Sequence, residues 1–169
     1  RPAFGAGRKD AMMTNHTRTI VYSGVLAALY VVLTVALAPI SFAQVQFRVS
    51  EVLKPVVLWN PVFAIAFGVG TFLANLTSPF GPWDFIAMAV IDAIAALACW
   101  GLRKWPVPAV AVQAILISAG VAVFPLHFGG GLPILPSFVS VLVSQFILLI
   151  GGYYLLWRKA GPILLGRER

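Results

Sequence analysis

Long apolar stretches separated by short polar or proline-containing turns make up most of this chain. The first runs from about Arg18 to Ala38 and stops at Pro39, which lacks the N–H needed to continue a helix. A second, about Val49 to Trp59, contains Pro55 and is short for a full crossing, so it is expected to span part of the membrane or to be completed by loop residues. A third starts after Asn60-Pro61, where proline suits the first helical position, and ends near Leu76. After a turn at Thr77-Ser78-Pro79-Phe80-Gly81-Pro82, a fourth covers about Trp83 to Leu102 and stops at Arg103-Lys104-Trp105-Pro106. The fifth covers about Val107 to Phe124, followed by a glycine-rich loop holding His127 and Gly129-Gly130-Gly131. The sixth runs from about Ser137 to Trp157 and ends in Arg158-Lys159. A span needs roughly 20 apolar residues. The pattern therefore predicts an all-α membrane protein of six transmembrane helices, with residues 13–169 forming a single domain. Residues 1–12 are polar and aperiodic, and read as a foreign remnant or disordered tail. The first apolar stretch is too long for a signal peptide and has no small-residue cleavage site.

Composition agrees: 60% of residues are hydrophobic, 10% are charged and the mean hydropathy is +0.94. The net charge of +7 does not indicate nucleic acid, because most Lys and Arg lie beside helix ends rather than on one solvated face. Six passes put both termini on one side. Arg18, Arg103-Lys104, Arg158-Lys159, Arg167 and Arg169 fall there, against Arg48 and Lys54 opposite, so both termini are predicted to be cytoplasmic. The polar run after the first helix, the Pro-Phe-Gly-Pro-Trp-Asp turn and the glycine-rich loop then share the outer face and are expected to form the mouth of one pocket.

Enzyme chemistry finds no footing. There is no Walker A loop, no His-Glu-x-x-His, no Gly-x-Ser-x-Gly, and Asp84 and Asp92 are too isolated for an acidic metal cluster. The single cysteine, Cys99, excludes a disulfide framework, and no metal or cofactor is expected. No internal repeat is visible, which argues against an inverted-repeat transporter.

The informative polar run is Val45-Gln46-Phe47-Arg48-Val49-Ser50-Glu51, which sets two ionised groups between membrane segments, where charge is costly and usually functional. Glu51 lies three residues from both Arg48 and Lys54, so it is expected either to pair with one of them or to bind ligand. Asn75 reads as interhelical glue or a ligand group. Asp84 reads as a helix N-terminal carboxylate, and Asp92, deeper in the fourth segment, has no cationic partner nearby in sequence. His127 reads as a solvated loop residue. The rings of Phe47 and Trp83 serve either interfacial anchoring or stacking on a planar ligand. Ser23-Gly24 and Ala27-Ala28 form two overlapping pairs of small residues, suited to internal packing or to docking a partner.

The words Ala38-Pro39-Ile40-Ser41-Phe42, Val45 to Glu51, Ala74-Asn75-Leu76 and Pro79-Phe80-Gly81-Pro82-Trp83-Asp84, in that order and spacing, resemble the QueT family. That family comprises substrate-binding (S) subunits of energy-coupling factor (ECF) importers, assigned to queuosine precursors such as 7-aminomethyl-7-deazaguanine. The resemblance implies an S-component bundle that takes ligand from outside and works with a transmembrane coupling (T) subunit and two cytoplasmic ATPases, without nucleic acid and without an ATP motif of its own. It implies a partner-coupling stripe at Ser23, Gly24, Ala27 and Ala28, and substrate contacts among Gln46, Phe47, Arg48, Glu51, Asn75, Trp83 and Asp84. A deazaguanine offers an N–H pair that Glu51 or Asp84 can accept, and Asn75 suits a ring carbonyl or nitrogen. Lys54, Met88 and Asp92 depart from the family's small or neutral residues, so Lys54 and Asp92 are read either as a pair introduced together or as a retuning of the ligand. Two alternatives stand beside this: a binding subunit for another vitamin or heterocycle, and a non-transport accessory membrane subunit.

Overall fold

The computed structural model describes residues 6–43 and 45–165, with side chains for 16–43 and 45–163. Helix α1 (Ala6–Ala36) is followed by the short α2 (Ala38–Ser41), a 3-10 helix (Val49–Leu58) and α3 (Phe63–Asn75). Helices α4 (Trp83–Gly101) and α5 (Pro106–Gly129) come next. Then α6 (Ile134–Gly152) continues through Tyr153–Trp157 into a terminal stretch, Arg158–Leu165. Residues 6–12, read from sequence as tail, are helical here; residues 1–5, and with them the rest of that stretch, lie outside the described residues, as do Arg167 and Arg169.

Among the described residues, four helices rather than six are long and apolar enough to cross a membrane: His16–Ala36, Trp83–Gly101, Pro106–Gly129 and Ile134–Ile163. The difference lies in the second and third segments. The 13 residues of α3 rise about 20 Å at ~1.5 Å per residue. The 10 residues of the 3-10 helix rise about 20 Å at ~2.0 Å per residue. Both fall short of a hydrocarbon core about 30 Å thick. The shortness expected of the second segment is thus observed, and the third shares it.

The longer helices pack side by side, α1 on α3, α3 on α4, α4 on α5 and α5 on α6, while the 3-10 helix lies among α1, α3, α4 and α6. Its register along α6 is fixed at two levels. Ser144 Oγ donates to the Val45 carbonyl at 3.1 Å, and Trp157 Nε1 donates to the Val52 carbonyl at 2.9 Å. Gly152 makes the approach possible, since a Cβ there would sit 2.5 Å from the Val52 carbonyl oxygen. Apolar side chains line this interior, among them Val56, Val57, Phe63, Phe67, Met88, Ile117 and Leu149. Pro125 sits inside a widened π-type stretch, Ala122–Gly129, that extends α5 past the end expected at Phe124. A proline ring displaces the carbonyl of the preceding turn, and widening is one way to absorb it.

The turn before α4 and the glycine-rich end of α5 meet. The carbonyl of Phe80 would lie 2.8 Å from a Cβ at Gly129, so the Pro79–Pro82 turn rests on the glycine-rich end of α5. His127 belongs to that helical end rather than to a solvated loop: it is half-buried, with Nδ1 2.9 Å from the Leu132 carbonyl.

Candidate functional site

Arg48, Glu51, Lys54, Asp84 and Asp92 are all almost wholly buried within this apolar bundle, and the structure sorts them into two clusters. The upper one is built on Arg48. Its backbone is extended at the entrance to the 3-10 helix (φ −89°, ψ 99°), so its side chain leaves the face that carries Glu51. It reaches Asp84 instead, at 3.2 Å, donates to Asn75 Oδ1 at 3.0 Å and to the Ser41 carbonyl at 3.3 Å, and lies over the Phe42 ring. Asn75 Nδ2 in turn donates to Asp84 Oδ1 at 2.8 Å, and Ser78 Oγ donates to Asp84 Oδ2 at 2.5 Å. Asp84 is therefore the buried counter-ion of Arg48, which goes beyond the helix-terminal role that its position suggests. Asn75 bridges the two. The cluster ties the chain after α1 to the ends of α3 and α4, and its polar atoms are largely committed to one another.

The lower cluster is built on Lys54. A 3-10 helix has three residues per turn, so Glu51 and Lys54 stack directly one above the other. Their side chains meet at 2.7 Å, which selects Lys54 over Arg48 as the partner of Glu51. Lys54 also meets Asp92 of α4 at 2.8 Å and lies over the Tyr30 ring. Tyr30 donates its hydroxyl to Glu51 Oε1 at 2.7 Å, and Thr71 donates to Asp92 Oδ2. Asp92, without a cation nearby in sequence, finds one across the bundle.

Two features of this interior are unusual. Across both clusters two cations face three carboxylates, so among the described residues Lys54 is shared by two of them, Glu51 and Asp92. Several buried polar atoms also have no hydrogen-bond partner: Glu51 Oε2, Asp92 Oδ1, both amide atoms of Gln46 and of Gln113, and Gln145 Oε1. Buried polar groups are nearly always paired, and an isolated charge in a low-dielectric medium is costly. Together they set this region apart from the apolar interior around it.

The remaining expected site residues are more peripheral. Trp83 is 45% exposed and packs in an outer aromatic group with Phe124 and Phe128. Phe47 is half-buried beside Arg48. Gln113 and Gln145 escaped the sequence reading because a lone amide in an apolar helix has no spacing signature; polarity inside a span was the available signal. On α1 the small residues divide. Ala27 faces α3, where a Cβ at Gly70 would meet its carbonyl oxygen at 3.4 Å, whereas Gly24 and Ala28 are exposed and Gly24 has open space beside it.

The fold and this interior define a helical membrane protein with an ionisable centre, and comparison with known proteins gives the class a family. The QueT transporter family matches residues 20–158, and the chain belongs to it. It is thus a member of a family of transporters rather than of enzymes. It is 39% identical over 69 residues to the queuosine precursor transporter QueT of Lactococcus lactis subsp. cremoris strain MG1363, covering 40% of this chain and 41% of that protein. The match therefore spans well under two thirds of the relative's length. No solved structure matches the chain.

Proposed function

We propose that this protein is the substrate-binding subunit of an ECF importer, capturing a queuosine precursor of the 7-deazaguanine type from outside and delivering it inward with a T subunit and two ATPases. One observation carries the reading: the buried interior holds one more carboxylate than it has cations, with Glu51 Oε2 and Asp92 Oδ1 unpartnered. A 7-aminomethyl-7-deazaguanine supplies the missing positive charge on its amine and offers planar ring N–H donors to a carboxylate. Family membership and the queuosine precursor named for the Lactococcus relative support the ligand class.

In this reading Glu51 and Gln46 contact ligand, and Asp92 with Glu51 balances its charge. Arg48, Asn75 and Asp84 form a latch between the chain after α1 and the α3–α4 turn. Ligand entry opens it, and Phe47 and Trp83 line the way in. The exposed Gly24–Ala28 edge of α1 docks the T subunit, with Ser23 and Ala27 beside it on the α3 side. A six-pass arrangement follows if loop residues complete the two short segments. Both termini are then cytoplasmic: Arg103, Lys104, Arg158 and Lys159 are exposed, while Arg48 and Lys54 are buried.

Mass spectrometry of small molecules extracted from the purified protein tests the reading. A 7-deazaguanine base bearing an amine is the expected species. Recovery of an unrelated vitamin, or purification from a precursor-supplied membrane with nothing bound, would contradict it.

A further inference from the structure

We propose that Gln46 and Gln145 form an amide pair that reads a lactam edge of the ligand, a ring carbonyl beside a ring N–H. This rests on the binding-subunit reading above and adds a residue, Gln145, and a recognition chemistry to it. Both side chains are excluded from solvent, at 0% and 1% exposure. Neither amide atom of Gln46, nor Oε1 of Gln145, has a hydrogen-bond partner. The 3.1 Å bond from Ser144 Oγ to the Val45 carbonyl holds the chain at Gln46 against the turn of α6 that carries Gln145.

Gln46 carries a second mark. Among the described residues it is the one non-glycine residue with positive φ, at 50°. That region is uncommon for a residue with a side chain, and such backbone strain clusters at ligand-binding positions where the surroundings impose it. Here the imposed features are visible: the Gln46 N–H donates to the Ala43 carbonyl at 2.8 Å, and the Arg48 N–H donates to the Gln46 carbonyl at 3.0 Å. This tight turn buries an amide that nothing in the protein satisfies. A carboxamide presents one donor and one acceptor in a plane, the complement of a lactam edge. Two such amides on chain segments held together in this way suit a flat heterocycle that has a lactam on one edge.

The test separates a ligand role from a structural one through the sign of the stability change. Replacing an unsatisfied buried amide by an apolar side chain of similar shape removes a desolvation penalty. For Gln145→Met and, separately, Gln46→Met, the ligand-free protein in detergent is therefore expected to melt at the same temperature or higher. Affinity for 7-aminomethyl-7-deazaguanine, by calorimetry, is expected to fall about tenfold or more. An analogue without the ring carbonyl is expected to bind the Met variants and the unaltered protein equally. A lower melting temperature with unchanged affinity would show that the amides are structural and overturn the inference, as would unchanged affinity alone. If the unaltered protein does not bind the deazaguanine, the transport reading falls and the inference falls with it. If it binds and the variants bind equally well, only the inference falls.

Discussion

Lys54 Nζ lies 2.8 Å from Asp92 Oδ2, with both side chains closed off from solvent, and this joins the 3-10 helix to the middle of α4. Removing one partner of a buried ion pair strands the other, typically at about 3–5 kcal/mol, whereas removing both is often nearly neutral. Lys54→Met is therefore expected to lower stability by that order, and Lys54→Met with Asp92→Asn to recover only part of it, because Glu51 still lacks its cation. Thermal unfolding of the single and double variants measures the coupling. Strictly additive effects would mean that the contact contributes nothing.

Much of this was legible in the sequence, and the exceptions have physical causes. The apolar periodicity places most segment ends to within a few residues, but α1 begins at Ala6 rather than near Arg18, helix continues past Trp157 to Leu165, and α5 runs on to Gly129 because the widened turn around Pro125 continues a helix where proline ordinarily signals a stop. The polar run after α1 stands out in the sequence, and its Gln46, Arg48, Ser50 and Glu51 are buried. Its pairing is not readable, since that depends on Arg48 being extended while Glu51 and Lys54 are on a 3-10 helix. An α-helical assumption puts all three on one face; the actual backbone sends Arg48 to Asp84. The link between Lys54 and Asp92 was one of two readings of their joint departure from the family pattern, and the contact favours it.

The charge imbalance predicts ligand selectivity. A deazaguanine with an aminomethyl group, cationic at neutral pH, is expected to bind about tenfold or more tightly than the 7-cyano analogue, a difference of about 1.4 kcal/mol. Asp92→Asn, which removes the surplus negative charge, is expected to shrink that preference. Competition binding on the purified protein measures both, and equal affinities in the unaltered protein would show that the surplus charge is balanced by a proton instead.

The two small-residue pairs on α1 give opposite expectations. Ala28→Trp, on the exposed edge, is expected to abolish copurification of the T subunit and uptake while leaving ligand binding intact. Ala27→Trp, facing α3 at Gly70, is expected to lower thermal stability instead. Complex formation that survives Ala28→Trp would remove that edge from the coupling surface.

Orientation is open to direct labelling. On a Cys99→Ala background, Pro133→Cys in the loop after α5 should react with a membrane-impermeant thiol reagent in whole cells, and Lys104→Cys should not, both positions being exposed. The reverse pattern would invert the topology and place the latch on the cytoplasmic side.

The central claim is that Glu51 meets the ligand and does more than neutralise Lys54. Calorimetric titration of the purified protein with 7-aminomethyl-7-deazaguanine tests it most directly, using Glu51→Gln and Glu51→Gln with Lys54→Met. The account predicts that Glu51→Gln costs about 2–5 kcal/mol of binding, the order found for a broken buried charge-assisted contact. Neutralising Lys54 as well, which leaves Asp92 without its cation, should not restore affinity. Recovery of affinity in the double variant, or undiminished binding in Glu51→Gln, would contradict it.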